Sequence, residues 1–148
     1  MTDKELQVFL EGTVNYFLEV SGTPAVMGVP YIKETQEEVS LDLTGAIGIS
    51  GNKKGVIYIT CPSPMVKELV GIILGDKNPD SGSLCDMTGE IANTIAGNAR
   101  QVFGANFMIS VPIIIEGKPV HLKVAAPTFV IPITWKTFKS FLVVGIES

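Results

Sequence analysis

The clearest pattern along the chain is an apolar stripe near its middle. Over residues 84–103 apolar side chains recur at steps of three and four, which is the period of a helix with one face in a core. We therefore predict a helix over residues 84–103 that ends at Gly104. The side chains expected to pack inward are Leu84, Met87, Ile91, Ile95, Ala99 and Val102.

A second stripe, of polar and small residues, runs along the same predicted helix. At about 100° per residue, Asp86, Glu90, Asn93 and Gly97 fall on one narrow strip opposite the apolar face. Asparagine and glycine are poor residues for a helix interior, and glycine alone costs about 1 kcal/mol relative to alanine. Because local rules are broken most often at functional sites, this strip is the candidate functional surface.

Two further helices are predicted on either side of a β-rich segment. The first begins at Thr2, whose hydroxyl can cap the helix while Glu5 reaches back, and it ends within residues 21–24. The second begins at residues 63–64, because proline suits the first helical position, and it ends at Gly75.

The remaining apolar segments have the length and alternation of β-strands. A polar loop over residues 76–83 separates the second helix from the central one, and the tracts at residues 51–55 and 116–118 are hairpin signals. Strands are predicted over residues 25–32, 39–49, 56–60, 107–115, 119–125 and 136–146.

This order of elements predicts an α+β fold, in which an antiparallel β-sheet is packed on one side by helices. The chain has 148 residues, of which 46% are hydrophobic, so we expect a single domain over residues 1–148 with a large core. Its apolar runs are far shorter than the roughly 18 residues that span a bilayer. Asp3 and Glu5 also stand where a signal peptide would be basic, so a cytoplasmic protein without a membrane partner is expected.

Charge and reactive side chains exclude several classes of function. The net charge is −4 and the 11 lysines and arginines are scattered, which disfavours a nucleic-acid partner. Cys61 and Cys85 are too far apart for a metal knuckle or a redox pair, and both are expected to be reduced and buried. His121 is the sole histidine, which excludes Ser–His and Cys–His nucleophile pairs and multi-histidine metal sites; we place it on the solvent face of a strand.

The polar strip resembles the motif of the CheC/CheX/FliY family of bacterial chemotaxis phosphatases, and most closely its CheX branch. Asp86, Glu90 and Asn93 match the family pattern of Asp or Ser, three residues, Glu, two residues and Asn, and Gly97 matches the glycine that follows. The family carries a proline after the helix, for which Pro112 is the candidate. The eighteen residues between Asn93 and Pro112 are fewer than the family pattern usually shows.

The resemblance implies a phosphatase that hydrolyses the aspartyl phosphate of a CheY-type response regulator. Glu90 and Asn93 would be the catalytic residues. Asn93 would orient the attacking water, since an amide donates and accepts hydrogen bonds but takes up no proton near neutral pH, and Glu90 would pair with the lysine of the receiver's active site. Asp86 and Gly97 would contact the partner. No metal or cofactor of its own is expected, because the phosphorylated receiver domain supplies Mg²⁺.

Plainer alternatives stay open at this point. Asp86 could cap the helix, while Glu90 and Asn93 could be ordinary surface residues. The same surface could also belong to a non-catalytic adaptor that binds a receiver or a flagellar-switch protein. The resemblance further implies a homodimer in which sheets join, with the apolar segments 129–131 and 141–144 as candidate edges. Burial of these segments inside a monomer is the competing explanation.

Overall fold

The computed structural model describes residues 1–118, 122–124 and 127–147, and this part of the chain forms three helices and eight strands. The helices are α1 (Asp3–Ser21), α2 (Ser63–Leu74) and α3 (Ser81–Phe103). The strands are β1 (Val26–Met27), β2 (Tyr31–Ile32), β3 (Leu43–Gly51), β4 (Lys54–Cys61), β5 (Phe107–Ile109), β6 (Ile113–Glu116), β7 (Phe129–Trp135) and β8 (Phe138–Glu147).

The strands form one antiparallel sheet with the order β1–β7–β8–β4–β3–β5. β2 pairs with β7 on the same side as β1, but at the other end of β7. In the same way, β6 pairs with β3 on the same side as β5, at the other end of β3. The predicted hairpin at residues 51–55 is present, because β3 and β4 pair from Leu43 opposite Cys61 to Ile49 opposite Gly55. Helices cover one face of this sheet, so the predicted α+β architecture is confirmed.

The main core lies between the helices and that face of the sheet. Side chains from α1, α2 and α3 meet alternate residues of the strands there, including the fully buried Ile47, Ile57 and Ile59. The opposite face carries a smaller cluster around Ala46, Tyr58, Val130 and Val143.

Capping residues explain where α1 and α2 begin and end. The Thr2 hydroxyl accepts from the amide of Glu5, and the Glu5 carboxylate accepts from the amide of Thr2, which is the predicted capping box. Gly22 and Gly75 end the two helices with φ of 75° and 73°, a left-handed conformation that favours glycine.

The start of α1 is also tied to the far end of α3. Lys53, in the turn between β3 and β4, lies 2.5 Å from the Glu5 carboxylate and 5.9 Å from the ring centroid of Phe103. The Lys53 ammonium is the main reason that the pKa of Glu5 falls to about 2. This contact joins the first turn of α1, the β3–β4 turn and the last turn of α3.

α3 begins three residues earlier than predicted. Asp80 is its N-cap and accepts from the amide of Ser83 over 2.8 Å, so residues 81–83 are helical and not part of a loop. Asp86 therefore lies inside the helix, and the alternative that it acts as the cap is wrong.

One member of the apolar stripe is exposed, contrary to our prediction. Val102 is 65% exposed, whereas the other five members of the stripe are buried. On this last turn Phe103 closes the core in its place, with its ring centroid 5.9 Å from that of Phe9 and 4.9 Å from that of Phe107.

Several strand predictions need correction. The predicted strand at residues 25–32 is two short strands separated by residues 28–30, and the one at residues 107–115 is broken at residues 110–112. Each break contains a proline, which has no N–H to donate to a neighbouring strand. The strand predicted over residues 39–49 starts at Leu43. The list of predicted strands lacked β7, which ends just before the strand predicted over residues 136–146.

β6 pairs with β3, a contact between residues far apart in the chain. The second predicted hairpin would join β6 to residues 119–125, a segment that the structure describes only in part. Within that segment residues 122–124 form no strand, whereas residues 119–121 and 125 lie outside the described residues. The prediction for His121 therefore falls outside them too.

The sheet edges also differ from our expectation. Residues 129–131 belong to β7 and residues 141–144 to β8, and both strands have neighbours on two sides, so these segments are not free edges. Among the described residues, the edges are formed by β1 and β2 on one side and by β5 and β6 on the other. The homodimer itself stays a prediction.

Two glycine substitutions distinguish the faces of α3. At Gly45 of β3 an added Cβ would lie 2.8 Å from the carbonyl oxygen of Thr88, whereas at Gly97 it would meet nothing within 4 Å. We predict that Gly45→Ala lowers the free energy of unfolding by about 2 kcal/mol through overpacking, and that Gly97→Ala raises it by about 1 kcal/mol through helix propensity. Chemical denaturation measures both; shifts in the same direction would contradict this assignment of the faces.

Candidate functional site

The polar strip predicted from the sequence lies on the outer face of α3. Asp86, Glu90 and Asn93 are exposed, and Gly97 is half-buried with open space where a side chain would be. The structure therefore brings these four residues together on one surface, which we call the α3 ridge.

The inner face of α3 holds the ridge in place. α3 packs on β3 and β4 and lies beside α1 and α2. Thr88 is fully buried, and its hydroxyl donates to the carbonyl oxygen of Leu84 over 2.8 Å, so its polar group is satisfied within the helix. An added Cβ at Gly12 of α1 would lie 3.5 Å from Cβ of Asn98. Because α3 packs against neighbours on several sides, its position is fixed. The helical repeat then sets the spacing of the ridge residues.

The turn between β5 and β6 forms a wall beside the ridge. Pro112 lies against Gly89, where an added Cβ would be 3.4 Å from Cγ of Pro112 and 3.0 Å from Cδ1 of Ile114. Only a residue without a side chain lets this turn approach the helix so closely. The shorter spacing noted in the sequence therefore still places Pro112 next to α3.

Ser110 fixes this turn to the sheet. Its amide donates to the carbonyl oxygen of Gly48 over 2.9 Å, and its hydroxyl oxygen accepts from the amide of Gly48 over 2.9 Å. The same hydroxyl donates to the carbonyl oxygen of Val111 over 2.9 Å. The turn is thus held by Ser110 on one side and by Pro112 on the other.

Ridge and wall enclose a shallow depression of about 410 Å³. The helix side of the depression contains three of the four ridge residues, and the wall supplies only apolar side chains. The lining residues are Cys85, Asp86, Gly89, Glu90, Asn93, Val111, Pro112 and Ile114.

The polar groups of the ridge have few partners within the protein. Among the residues that the structure describes, no lysine or arginine pairs with Asp86 or Glu90, and the Asn93 side chain makes no hydrogen bond. Glu90 has one weak contact, from the Thr94 hydroxyl at 3.4 Å. These side chains are therefore free to interact with another molecule.

Beneath the ridge, Tyr16 of α1 is buried, and its hydroxyl has no partner among the described residues. Burial raises the pKa of Tyr16 well above its usual value, and the negative charge of Glu90 raises it further. Tyr16 therefore stays protonated near neutral pH and takes no part in acid–base chemistry there.

The two cysteines differ from each other. Cys61 is fully buried as predicted, and burial raises the pKa of its thiol to about 12. Cys85 is only half-buried and lines the depression, so the prediction of a buried residue is wrong for it. Burial, with Glu116 and Asp86 adding to it, raises the pKa of Cys85. Both are free thiols, and neither is a thiolate at neutral pH.

The described part of the chain has neither a metal-binding cluster nor a membrane-spanning helix. No group of three or more histidine, cysteine, aspartate or glutamate side chains in residues 1–118, 122–124 and 127–147 is arranged to hold a metal ion. None of the helices there is long and apolar enough to cross a membrane.

A larger depression, of about 840 Å³, lies on the other face of the sheet between residues 32–39 and residues 122–124 and 127–128. The one tyrosine hydroxyl at its base, that of Tyr58, is already bonded to the carbonyl oxygen of Val39 over 2.8 Å. None of the described residues that line this larger depression lies in a helix, so it has no counterpart to the amide and carboxylate of the α3 ridge. Chemistry therefore favours the smaller depression beside α3 over the larger one.

The ridge has the geometry of a surface that enters a partner, not of a cleft that admits a small molecule. Its amide and carboxylate project from the outside of a helix, and the adjoining depression is open. An amide can orient water and a free carboxylate can pair with a cation. The reacting group would then have to be supplied by the partner.

Sequence reasoning identified Pro112, through the family resemblance, but missed the other two residues of the wall. Val111 and Ile114 gave no signal, because their proximity to α3 depends on the pairing of β5 and β6 with β3. Gly89 did carry a signal, since a glycine inside a helix lowers its stability and needs a packing or functional reason.

Comparison with known proteins gives consistent results. The family model described as "Chemotaxis phosphatase CheX" matches residues 43–134. A putative chemotaxis protein from Desulfovibrio vulgaris Hildenborough is 28% identical, with a TM-score of 0.83 and 97% of each chain covered. A chemotaxis protein CheX from Desulfovibrio desulfuricans is 25% identical, with a TM-score of 0.85 over 97% of this chain and 99% of that one.

A third similar structure is a complex of CheX with CheY, BeF₃ and Mg²⁺ from Borrelia burgdorferi. Its match has 17% identity, a TM-score of 0.77 and 97% of each chain covered, so it shows the fold alone. No curated protein sequence matches the chain significantly. The family model spans well over half of the chain, from the start of β3 almost to the end of β7, and includes all of α3 and its wall; the chain therefore belongs to the CheX family of chemotaxis phosphatases.

Proposed function

We propose that this chain hydrolyses the aspartyl phosphate of a CheY-type response regulator. The observation that carries the proposal is the pair Glu90 and Asn93, two exposed side chains one helical turn apart on a fixed helix. Among the described residues, Thr94 alone makes hydrogen-bond contact with this pair. Membership of a phosphatase family and the CheX–CheY complex of the Borrelia relative support it.

The proposed reaction needs little machinery from this chain. An acyl phosphate is already activated, and the oxygen of a water molecule attacks phosphorus while the bond from phosphorus to the aspartyl oxygen breaks. The products are inorganic phosphate and the receiver's free carboxylate. The receiver supplies Mg²⁺ and a lysine to neutralise the phosphoryl oxygens. What remains for the phosphatase is to place the water in line.

Asn93 is the residue suited to that task. Its amide can accept a hydrogen bond from the water and donate one to a phosphoryl oxygen, but it cannot remove a proton near neutral pH. It therefore acts as a positioner of water and not as a general base. Its lack of internal hydrogen bonds leaves both functions of the amide available.

Glu90 is suited to fix the orientation of the two proteins. Its carboxylate has no cationic partner in the described chain and can pair with the receiver's lysine. Asp86 adds a second negative charge on the same side of the ridge. Gly97 keeps the other end of the ridge low, so that a partner can approach the helix backbone.

The substitution Asn93→Ala tests the chemical role. We predict a loss of dephosphorylation of at least about a hundredfold, because the positioned water is lost. The melting temperature should stay level or rise, since alanine is the better helix former. The measurement is decay of radiolabelled phosphate on a phosphorylated receiver.

Asn98→Ala is the matched control, because it makes the same change on the same helix at a half-buried position beside α1. Its activity should equal that of the parent. Equal activity of Asn93→Ala and the parent would refute the mechanism. A parent chain that binds the phosphorylated receiver without shortening its lifetime would instead establish the non-catalytic adaptor.

Substitutions of Glu90 test docking. We predict that Glu90→Lys weakens binding to a phosphorylated receiver more than Glu90→Ala does, because an attraction to the receiver's lysine becomes a repulsion. Titration with a fluorescent receiver measures both affinities. Glu34→Lys makes the same charge change on the opposite face of the sheet and should leave affinity unchanged. Equal affinities for the two Glu90 variants would remove Glu90 from the interface.

The homodimer implied by the family would join the sheet edge at β1 and β2. Exposed apolar side chains there include Val26 (67%), Val29 (84%) and Ile32 (60%), beside strands that pair on one side alone within the described residues. We predict that Val29→Asp converts a dimer into a monomer in light scattering at micromolar concentration. Met108→Asp on the other edge should stay dimeric. A monomeric parent would contradict the prediction.

A further inference from the structure

Val111 is an exposed apolar residue in the short segment between β5 and β6. Its side chain is 80% exposed, yet it lines the same depression as Asp86, Glu90 and Asn93. A β-branched apolar side chain in water contributes nothing to the core. It therefore contributes either nothing or a contact to a molecule that reaches the ridge.

The backbone around Val111 is firmly held although its side chain is exposed. Ser110 is bonded to Gly48 in both directions, and the Ser110 hydroxyl also holds the carbonyl oxygen of Val111. On the other side, Pro112 packs on Gly89. Valine has a single strongly restricted side-chain torsion. Little conformational entropy would be lost if this side chain were buried by a partner, which makes it a preorganised contact.

Position decides what this contact does. Any group that approaches Asn93 through the depression passes between α3 and the turn that carries Val111. The helix side of the depression is polar and negatively charged, whereas the wall is apolar. A partner that fits both sides needs a positive group facing Glu90 and an apolar side chain facing Val111.

The ridge residues by themselves select poorly among receivers. Receivers share the acyl phosphate, the metal ion and the lysine, and these are the features that Glu90 and Asn93 would address. Discrimination must come from contacts outside that shared chemistry, where receivers differ in sequence. Val111 lies at such a position, because it lines the depression beside the ridge but belongs to the wall.

We propose that Val111 is a specificity-determining residue, which selects receivers that carry an apolar side chain at the rim of their phosphorylation site. The proposal rests on the proposed function and adds the partner preference of that same site. Burying a valine side chain is enough to change affinity by tenfold or more.

The test uses the full chain and a panel of CheY-type receivers phosphorylated with acetyl phosphate. Val111→Thr keeps the shape of the side chain and adds a hydroxyl, and Val111→Asp adds a charge. For the best receiver we expect KM to rise about tenfold in Val111→Thr and at least about a hundredfold in Val111→Asp, with kcat unchanged in both. The ratio of kcat/KM for the best receiver to kcat/KM for the poorest one should be smaller in both variants than in the parent.

Val102 provides the matched control, because it is an exposed valine on the last turn of α3 and does not line the depression. Val102→Thr and Val102→Asp should leave KM and receiver preference unchanged. Melting temperatures of the Val111 variants should match the parent, since the side chain lies outside the core.

Three results would overturn the proposal: an unchanged KM in Val111→Asp, a fall in kcat with KM constant, or an equal effect from the Val102 variants. If the parent dephosphorylates no receiver, the proposed function fails separately. Val111 is then tested by affinity for the same receivers. Weaker binding by Val111→Asp than by the parent supports the contact. Equal binding by the two, or no binding by the parent, refutes it.

Discussion

The structure depends on the close approach of α3 to β3. At Gly45 the carbonyl oxygen of Thr88 would lie 2.8 Å from a Cβ, a distance that a side chain on the strand would not permit. Because the strand has no side chain at this point, the helix sinks onto the sheet and buries its apolar stripe. Its outer face then stands at a fixed height above the sheet. The turn at Pro112 reaches that face only because Gly89 is also without a side chain.

Local rules were enough to predict the helices and the class of the fold. Helix caps act through contacts with residues a few positions away in the chain. Thr2, Gly22 and Gly75 therefore mark helix ends in the sequence as they do in the structure. Strand pairing was harder, because β6 lies beside β3 through contacts between residues far apart in the chain. Val102 shows the limit of periodicity, which gives the direction of a side chain but not the place where the core ends.

The candidate site divides in the same way. The ridge was visible from the sequence because its residues lie on one helix at a fixed spacing, and their polarity conflicts with helix stability. Of the wall, only Pro112 was expected, from the family resemblance. Val111 lines the same depression as Glu90 through the pairing of β5 and β6 with β3. A further signal in the sequence was the glycine at position 89, inside a helix.

The convex form of the ridge also bears on turnover. A site that projects from a helix has no interior of its own, so under the proposed function the reaction chamber exists only while two proteins are in contact. Substrate and product are then the same receiver with and without one phosphoryl group, and most of the contacts are common to both. Contacts of that kind lower KM without accelerating the chemistry, and they slow the separation of the product. A small, open surface of this kind suits an enzyme that must release one protein before it can act on the next.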